Sequence, residues 1–139
     1  MPTNTAGGSG QNYNRHLKHY LVKRIKVADV IGTANGAFEI GNLPPNSYVT
    51  YGHTHIITSF DDTNGDDLDI GIEGGDDDLF ASAVDLNSGA TVTTFDDLAL
   101  ANQWATTNRK VTANFTTAPS GNGTTGDLIV YLEYYIAPA

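Results

Sequence analysis

Residues 127–137 read DLIVYLEYYIA, and this stretch decides the fold class. Every second residue from 128 to 134 is large and apolar, and most of the residues between them are apolar or aromatic too. Isoleucine, valine and tyrosine favour extended chains, and a period of two indicates a strand with its buried side chains on one face. The segment therefore predicts a long strand at the centre of a β-sheet.

The same alternation is cleaner in residues 67–73, DLDIGIE. Leu68, Ile70 and Ile72 are separated by acidic residues and one glycine. This pattern predicts a strand with one buried and one solvated face. The longest strand is predicted at residues 47–60, SYVTYGHTHIITSF, where Gly52 suggests a β-bulge. The two prolines of residues 43–46, LPPN, predict a corner before it.

The rest of the chain reads as further short strands joined by turns. Asn35-Gly36 suits a two-residue hairpin loop. After a strand that starts at Thr91, an irregular or short helical piece is expected over residues 96–102. Seven or eight strands of this kind predict an all-β chain with a single β-sandwich or jelly-roll-like domain. The remaining predicted strands are residues 20–31, 37–41, 79–86 and 108–117.

Composition supports this class and excludes several others. The 139 residues include 17 threonines, 15 glycines and 12 asparagines, which favour strands and turns. Without cysteine there is no disulfide scaffold, thiolate zinc site or cysteine nucleophile. No apolar run reaches the roughly 20 residues of a membrane helix, and the first 15 residues are too polar for a secretion signal. We expect a soluble protein with no membrane partner.

Charge is distributed very unevenly along the chain. Residues 1–28 contain five bases and no acid, whereas residues 29–139 contain two bases and all 16 acids. Residues 1–14 are almost entirely small and polar, so we expect a flexible arm, and we place the boundary between a basic N-terminal arm and the β-sandwich domain after residue 19. The bases that we expect to contact a partner protein or another subunit are Arg15, Lys18, Lys23, Arg24 and Lys26.

Ten of the acids fall between residues 61 and 85, mostly in predicted turns. Calcium binds several oxygen ligands in a short loop, but the EF-hand pattern is not met because Phe60 occupies the first ligand position. Aspartates in β-turns also bond their own backbone, and this reading is favoured. We therefore expect no bound metal or other cofactor, and the residues that would hold calcium otherwise are Asp61, Asp62, Asp66, Asp76, Asp77 and Asp78.

His53 and His55 lie two residues apart on one face of the predicted long strand. Such a pair can supply two metal ligands, although the sequence names no third, and a solvated histidine pair is the simpler interpretation. No serine lies in a nucleophile elbow, and no spacing of carboxylates singles out a glycosidase pair. Nucleic acid is not expected as a partner because the body of the chain is strongly acidic. We expect no enzymatic activity.

Five short segments follow one another in an order that resembles small β proteins encoded beside the major capsid gene of many tailed bacteriophages. The resemblance spans roughly residues 40–137 and excludes the basic segment. It implies a virion structural protein, most often a head decoration (cement) protein, and it transfers no catalytic motif. The matching segments are Leu43-Pro44, residues 68–71, residues 76–78, residues 80–86 and residues 130–134.

The resemblance implies a location on the capsid exterior and the major capsid protein as partner. Because capsid sites repeat with threefold and twofold symmetry, a homo-oligomer, either trimer or dimer, is expected. Two alternatives stay open: a neck, tail or head-fibre component, and a carbohydrate-binding β-sandwich module. Seven aromatic residues are candidates for core or interface positions, with core expected for most of them, namely Tyr20, Tyr48, Tyr51, Trp104, Tyr131, Tyr134 and Tyr135.

Overall fold

The structure is a computed structural model, and it describes residues 17–30, 37–61, 67–115 and 124–137. The expected flexible arm at residues 1–14 and the Asn35-Gly36 turn lie outside the described residues. Among the described residues, no helix has the length and apolar character needed to cross a membrane.

Eight strands and two four-residue helices make up the regular structure of the described residues. The helices are α1 (Val27–Val30) and α2 (Leu100–Gln103). The strands are β1 (His19–Lys26), β2 (Ala37–Leu43), β3 (Ser47–Thr58), β4 (Asp67–Ile72), β5 (Ala81–Asp85), β6 (Thr91–Thr94), β7 (Arg109–Phe115) and β8 (Asp127–Ile136).

The strands form two antiparallel four-stranded sheets. Sheet A has the order β1-β8-β3-β6, and sheet B has the order β2-β7-β4-β5. Consecutive strands therefore alternate between the sheets, except that β4 and β5 are neighbours in sheet B, and this is the strand order of an eight-stranded jelly roll. The prediction of an all-β sandwich of jelly-roll type is confirmed.

β8 lies inside sheet A, between β1 and β3, as its sequence predicts. Ten residues of β8 pair with β3, and eight pair with β1. The side chains of Leu128, Val130 and Leu132 are fully buried against sheet B, whereas the residues between them face outward and are only partly buried. The apolar character of both faces of this strand thus has two separate causes: one face packs on the core, and the other forms an exposed surface.

The core fills the space between the two sheets. Leu68 and Ile70 of β4 are fully buried, and Ile72 is partly buried, so the predicted orientation of this strand is confirmed. Phe80 and Phe95 stack with their ring centroids 6.5 Å apart. The largest fully buried side chains are those of Phe80, Ile25, Leu43, Ile56, Leu68, Ile70, Leu86, Leu128, Leu132, Val30, Val49 and Val111.

Two details of the predicted strands are wrong. The predicted strand over residues 20–31 ends at Lys26, where α1 begins, because the backbone N–H of Lys26 donates to the Asp29 carboxylate (3.0 Å). The pairing of β3 with β8 shifts register between Val49 and Tyr51 and again between Ile56 and Thr58, but not at Gly52. Gly52 serves another purpose: a Cβ atom there would fall inside the ring of Phe95, so only glycine lets that ring pack on the strand.

Arg109 joins the two sheets at one end of the sandwich. Its side chain is buried, and its guanidinium donates to the backbone carbonyls of Asn102 (2.9 Å), Gln103 (3.2 Å) and Ser47 (3.4 Å). The same guanidinium lies over the ring of Phe80, 5.6 Å from its centroid. Arg109 therefore ties β7 of sheet B to the start of β3 in sheet A and to the end of α2.

Candidate interaction face

The exposed large hydrophobic residues of the described chain all lie on or beside sheet A. None of them lies on a strand of sheet B. Val22 is 58% exposed, Tyr20 and Val92 are each 54% exposed, and Trp104 is 46% exposed. Trp104 follows α2 and forms an isolated bridge with Tyr48 of β3. The others are Leu17, which precedes β1, and Tyr51 and Ile57 of β3.

We call the outward-facing side of sheet A the aromatic face. It runs across all four strands of the sheet, because strand register places outward residues of neighbouring strands side by side. Its members are Tyr20, Val22, Arg24 and Lys26 of β1; Ile129, Tyr131, Glu133 and Tyr135 of β8; Tyr48, Tyr51, His53 and His55 of β3; and Val92 and Thr94 of β6.

Aromatic rings form a continuous row across the middle of this face. The ring centroids of Tyr20 and Tyr131 are 5.4 Å apart, those of Tyr131 and His53 are 4.9 Å apart and stacked, and those of His53 and Tyr51 are 5.6 Å apart. Contacts of this geometry fix ring orientations and give the sheet a rigid surface. A second stacked pair, Tyr48 and Tyr135 at 5.2 Å, extends the surface towards Trp104.

A small polar network anchors the central ring. The Tyr131 hydroxyl donates to Oε2 of Glu133 (3.2 Å), and Lys18 Nζ lies 2.6 Å from Oε1 of the same carboxylate. Desolvation, together with the neighbouring carboxylate, raises the pKa of Tyr131 to about 12. The hydrogen bond from Lys18 lowers the pKa of Glu133, which therefore stays ionised. Lys18, expected to contact a partner, thus already neutralises an acid of its own chain.

Two of the remaining bases of the predicted contact set, Arg24 and Lys26, belong to the aromatic face. Arg24 makes a two-pronged ion pair with Asp127, with Nε–Oδ1 and Nη2–Oδ2 distances of 2.9 Å and 2.5 Å, and this pair lowers the pKa of the Asp127 carboxyl. Lys23 points to the other side of β1, and its Nζ lies 5.3 Å from the ring centroid of Phe38. Lys26 is exposed, and Arg15 lies outside the described residues.

The outward-facing side of sheet B has the opposite character, and we call it the acidic face. The turn after β4 folds back over it: the Ile72 N–H donates to the Asp76 carbonyl (2.9 Å), and the Asn114 side chain donates to the Asp77 carbonyl (3.0 Å). Lys110 is the base on this surface, 3.0 Å from Glu73. The acids of the acidic face are Glu39, Asp67, Asp69, Glu73, Asp76, Asp77, Asp78 and Asp85.

The three turn acids of the predicted calcium set come together on this face. Asp76, Asp77 and Asp78 can each place a carboxylate oxygen within 4.8 Å of the others. A hydrogen bond with the Asp76 carboxylate, and repulsion from it, raise the pKa of Asp78 to about 6. Asp78 therefore holds a proton in weakly acidic solution, which reduces the repulsion between its carboxyl group and that of Asp76.

Asp61, the other described member of that predicted set, is not part of this cluster. Asp61 accepts hydrogen bonds from the backbone N–H groups of Thr124 (2.9 Å) and Thr125 (3.0 Å) and from the Thr124 hydroxyl (2.5 Å). These bonds lower the pKa of Asp61 and hold the chain just before β8. Asp62 and Asp66 lie outside the described residues.

His53 and His55 share the outward face of β3, as their spacing predicts. His53 is half-buried by its stacking on Tyr131, whereas His55 is exposed. Burial, and to a smaller extent the charge of His55, lower the pKa of His53. Among the described residues, no third ligand completes a metal site with this pair.

The sequence identified the bases and acids of these faces but missed their most exposed feature. Core positions were expected for most of the seven aromatic candidates, yet Tyr134 is the one that is buried in the core. Tyr131 and Tyr135 could have been assigned outward, because in the strand alternation they fall opposite the strictly aliphatic positions 128, 130 and 132. Trp104 gave no such signal, since it lies outside any regular alternation.

The described residues form no pocket. Their outward surfaces are a flat sheet face lined with rings and a second face covered by an acidic turn. Such surfaces suit contact with another macromolecule rather than enclosure of a small substrate.

Comparison with known proteins gives structural matches alone. No protein-family model matches the chain, and no curated protein matches it. A chain in the acidic stable capsid structure of Helicobacter pylori bacteriophage KHP30 aligns with a TM-score of 0.65 and 17% identity, over 86% of this chain and 88% of that chain. The fold is shared with phage capsid chains.

Two further structures agree with the first. A chain in the capsid of Ralstonia phage GP4 aligns with a TM-score of 0.62 and 18% identity, over 88% of this chain and 84% of that chain. A chain in the capsid asymmetric unit of cyanophage Pam1 aligns with a TM-score of 0.62 and 19% identity, over 86% and 85%. The likeness extends over nearly the whole of each chain, so it concerns the complete jelly roll rather than a shared fragment.

Proposed function

We propose that this protein is a capsid decoration protein, which binds the outer surface of a phage head and stabilises the lattice of the major capsid protein. The aromatic face makes the contact. The observation that carries this proposal is the one-sided distribution of exposed hydrophobic residues, all of which lie on or beside sheet A. The similarity of the fold to chains from three phage capsid structures supports it.

The chemistry of the aromatic face suits a protein partner. Protein interfaces are enriched in tyrosine, tryptophan and arginine, and their energy is concentrated in aromatic anchors at the centre of a polar rim. Here Tyr20, Tyr51 and Tyr131 occupy the centre, and Lys18 and Arg24 lie along the rim. An exposed surface of this kind is costly for a free protein and is expected to be covered in the assembled particle.

The acidic face supports the same proposal, in which the aromatic face is turned towards the capsid. Eight acids against one base would be repelled by a negatively charged neighbour and remain hydrated. Pointing this face to solvent leaves the aromatic face for the capsid. Lys23, Arg24 and Lys26 of β1, and Lys18 just before this strand, then lie on or beside the contact. Arg15, three residues before Lys18 in the sequence, is a further candidate.

The proposal is tested on particles of the phage whose genome encodes this chain. Purified heads are expected to contain the protein in a fixed, high ratio to the major capsid protein, and particles made without the gene are expected to lose capsid strength on heating. A few copies per particle would instead indicate a neck, tail or head-fibre component. Light scattering of the isolated protein measures whether it is a dimer or trimer, as we expect for a component of a symmetric lattice.

A carbohydrate-binding function is the second candidate, because a flat row of rings such as Tyr20, Tyr131 and Tyr51 can also stack against sugars. A glycan array with and without calcium distinguishes the two functions. Binding to host-surface glycans by a protein that does not bind capsids would favour this candidate over decoration.

A further inference from the structure

The outer edge of β1 pairs with no strand among the described residues. The hydrogen bonds at the end of β1 show which of its backbone groups point towards that edge. The N–H of Val27 donates to the Gly126 carbonyl, which continues the β1–β8 register, whereas the N–H of Lys26 is bonded to the Asp29 carboxylate instead. Backbone groups of an antiparallel strand alternate in direction. The N–H and C=O groups of Tyr20, Val22 and Arg24 therefore point away from β8.

These backbone groups have no strand partner among the described residues, because β1 is the outermost strand of sheet A. The strand is also regular: all eight of its residues pair with β8 without a register shift. A long, regular edge of this kind is a template for another strand, and proteins usually blunt it with a bulge, a proline or charged side chains, lysine above all. The described part of β1 has no bulge and no proline, and its protection consists of Lys23, Arg24 and Lys26 alone.

We propose that the free edge of β1 receives an extended acidic segment of the capsid partner, which is added as a further strand of sheet A. The inference rests on the proposed function and specifies how the contact is made. Strand addition would supply main-chain hydrogen bonds along β1, and the aromatic face beside it would supply the side-chain contacts.

Charge indicates the chemistry of the added segment. Lys23 and Lys26 form no ion pair with a described residue, and they project to opposite sides of β1. A strand lying along this edge would bring its own side chains next to both. Opposite charges on neighbouring strands stabilise a sheet, so acidic residues on both faces of the added segment fit this edge.

The same charges disfavour a second copy of this chain at the edge. Suppose that β1 pairs in antiparallel orientation with β1 of a second copy. Most of the strand is paired in three registers, in which Leu21, Val22 or Lys23 lies opposite the same residue of the other copy. The first places Lys18 opposite Arg24, the second places Lys18 opposite Lys26, and the third places Lys23 opposite itself. Like charges directly opposite one another destabilise strand pairing. The lysines thus act against self-association while leaving the edge open to an acidic strand.

Val22 allows the backbone and the side chain to be tested separately. Val22→Pro keeps an apolar side chain of similar size but removes the outward N–H, and an edge strand tolerates proline there because no internal ladder bond is lost. Val22→Ala keeps the N–H and removes most of the side chain. Each variant is added to capsids made without the gene, and bound protein is quantified against the major capsid protein.

Because Val22 belongs to the aromatic face, Val22→Ala itself loses some side-chain contact, and we expect Val22→Pro to bind at least tenfold more weakly than Val22→Ala. Lys26→Glu should weaken binding, whereas Lys110→Glu on the acidic face should not. Equal binding by Val22→Pro and the native chain overturns strand addition but leaves the decoration role intact, as does a greater loss for Val22→Ala than for Val22→Pro. If the native chain itself fails to bind, the proposed function is wrong and this inference falls with it.

Thermal unfolding of the two Val22 variants completes the test. Similar midpoints are expected, because no described residue accepts a hydrogen bond from the outward N–H of Val22. A large loss of stability that is specific to Val22→Pro would show that this N–H already has a partner within the chain, and would also overturn the proposal.

Discussion

The two outer faces of this jelly roll are built from the same kind of strand but present opposite surfaces. On sheet A, rings and aliphatic side chains cover the strands, and the bases beside them are largely neutralised by Asp127 and Glu133. On sheet B, acids cover the strands, and an acidic turn folds back over Gly71, where any side chain would collide with the backbone of Asp76 and Asp77.

The difference shows that net charge along the chain is a poor guide to where a partner binds. The basic head and acidic body of the sequence suggest an electrostatic contact, yet Lys18 and Arg24 are paired with acids of their own strand neighbour. What distinguishes the aromatic face is uncovered apolar surface, whose burial would contribute to binding without a large penalty for removing charges from water. The remaining charge then selects the partner and its orientation.

The largest expected effect comes from Arg109, because it connects the sheets that carry the two faces. Arg109→Met removes the donors to three backbone carbonyls, two of which belong to the segment before Trp104. We expect a loss of about 3 kcal/mol in the free energy of unfolding, since buried acceptors are left without partners. Urea unfolding followed by the fluorescence of Trp104, the single tryptophan of the sequence, measures it.

Arg109→Lys is the matched variant, because it keeps the charge but cannot reach all three carbonyls. We expect a smaller loss of stability than for Arg109→Met, together with a shift in the emission of Trp104. If both variants are as stable as the native protein, the joint between the two sheets does not depend on this guanidinium.

The second effect concerns the rings of the aromatic face. Tyr20→Ala and Tyr51→Ala each remove an exposed ring from the central row, and each should weaken capsid binding roughly thirtyfold, the loss of about 2 kcal/mol typical of an interface anchor. Glu73→Gln on the acidic face is the control and should bind normally. Equal effects on both faces would show that the aromatic face has no special part in binding.

The third effect is the pH dependence of the same contact. Burial lowers the pKa of His53, so the folded protein favours the neutral imidazole, and docking would bury this ring further. The contribution of the neutral imidazole to the stability of the folded protein is present above the ordinary pKa of 6.5. It is lost as the pH falls through the lowered pKa. Capsid binding should therefore weaken by about threefold between pH 7 and pH 5 through this group.

His53→Phe keeps a ring stacked on Tyr131 and removes the titrating group, while His55→Asn removes the neighbouring charge. The pH dependence should shrink in the first variant and change less in the second. An unchanged profile for His53→Phe would assign the dependence to the capsid rather than to this face.

The sequence predicted the sandwich well because its strands are separated by clear turns and alternate with a period of two. It predicted the faces less well, for a physical reason. Alternation shows that Tyr131 and Tyr135 lie on one side of β8, but a strand that is apolar on both sides looks the same whether its second face packs on a helix, a partner or nothing.

Two local features that the sequence did not predict have a similar origin, because each depends on a contact that is remote in sequence. Gly52 is explained by the ring of Phe95, about 40 residues away, and no bulge is needed there. Asp61 bonds to Thr124 and Thr125 at the far end of the chain, which a reading of its local acidic cluster could not show.

The smallest expected effect tests the acidic face. A hydrogen bond with Asp76, together with repulsion from it, raises the pKa of Asp78 to about 6, above its ordinary value of 3.8. The folded protein therefore binds more protons than the unfolded chain between these values. The stabilising contribution of this proton is complete below the ordinary value and is lost as the pH rises through about 6. Asp78→Asn cannot ionise at this position, so its thermal midpoint should vary less with pH between 4 and 6 than that of the native protein. Capsid binding should be unchanged, because the proposed contact lies on the aromatic face.

A carboxyl NMR titration of the native protein should show one group with an apparent pKa near 6, and this pKa should fall in Asp76→Asn. The absence of such a group would mean that the turn holds its three acids farther apart than the structure shows.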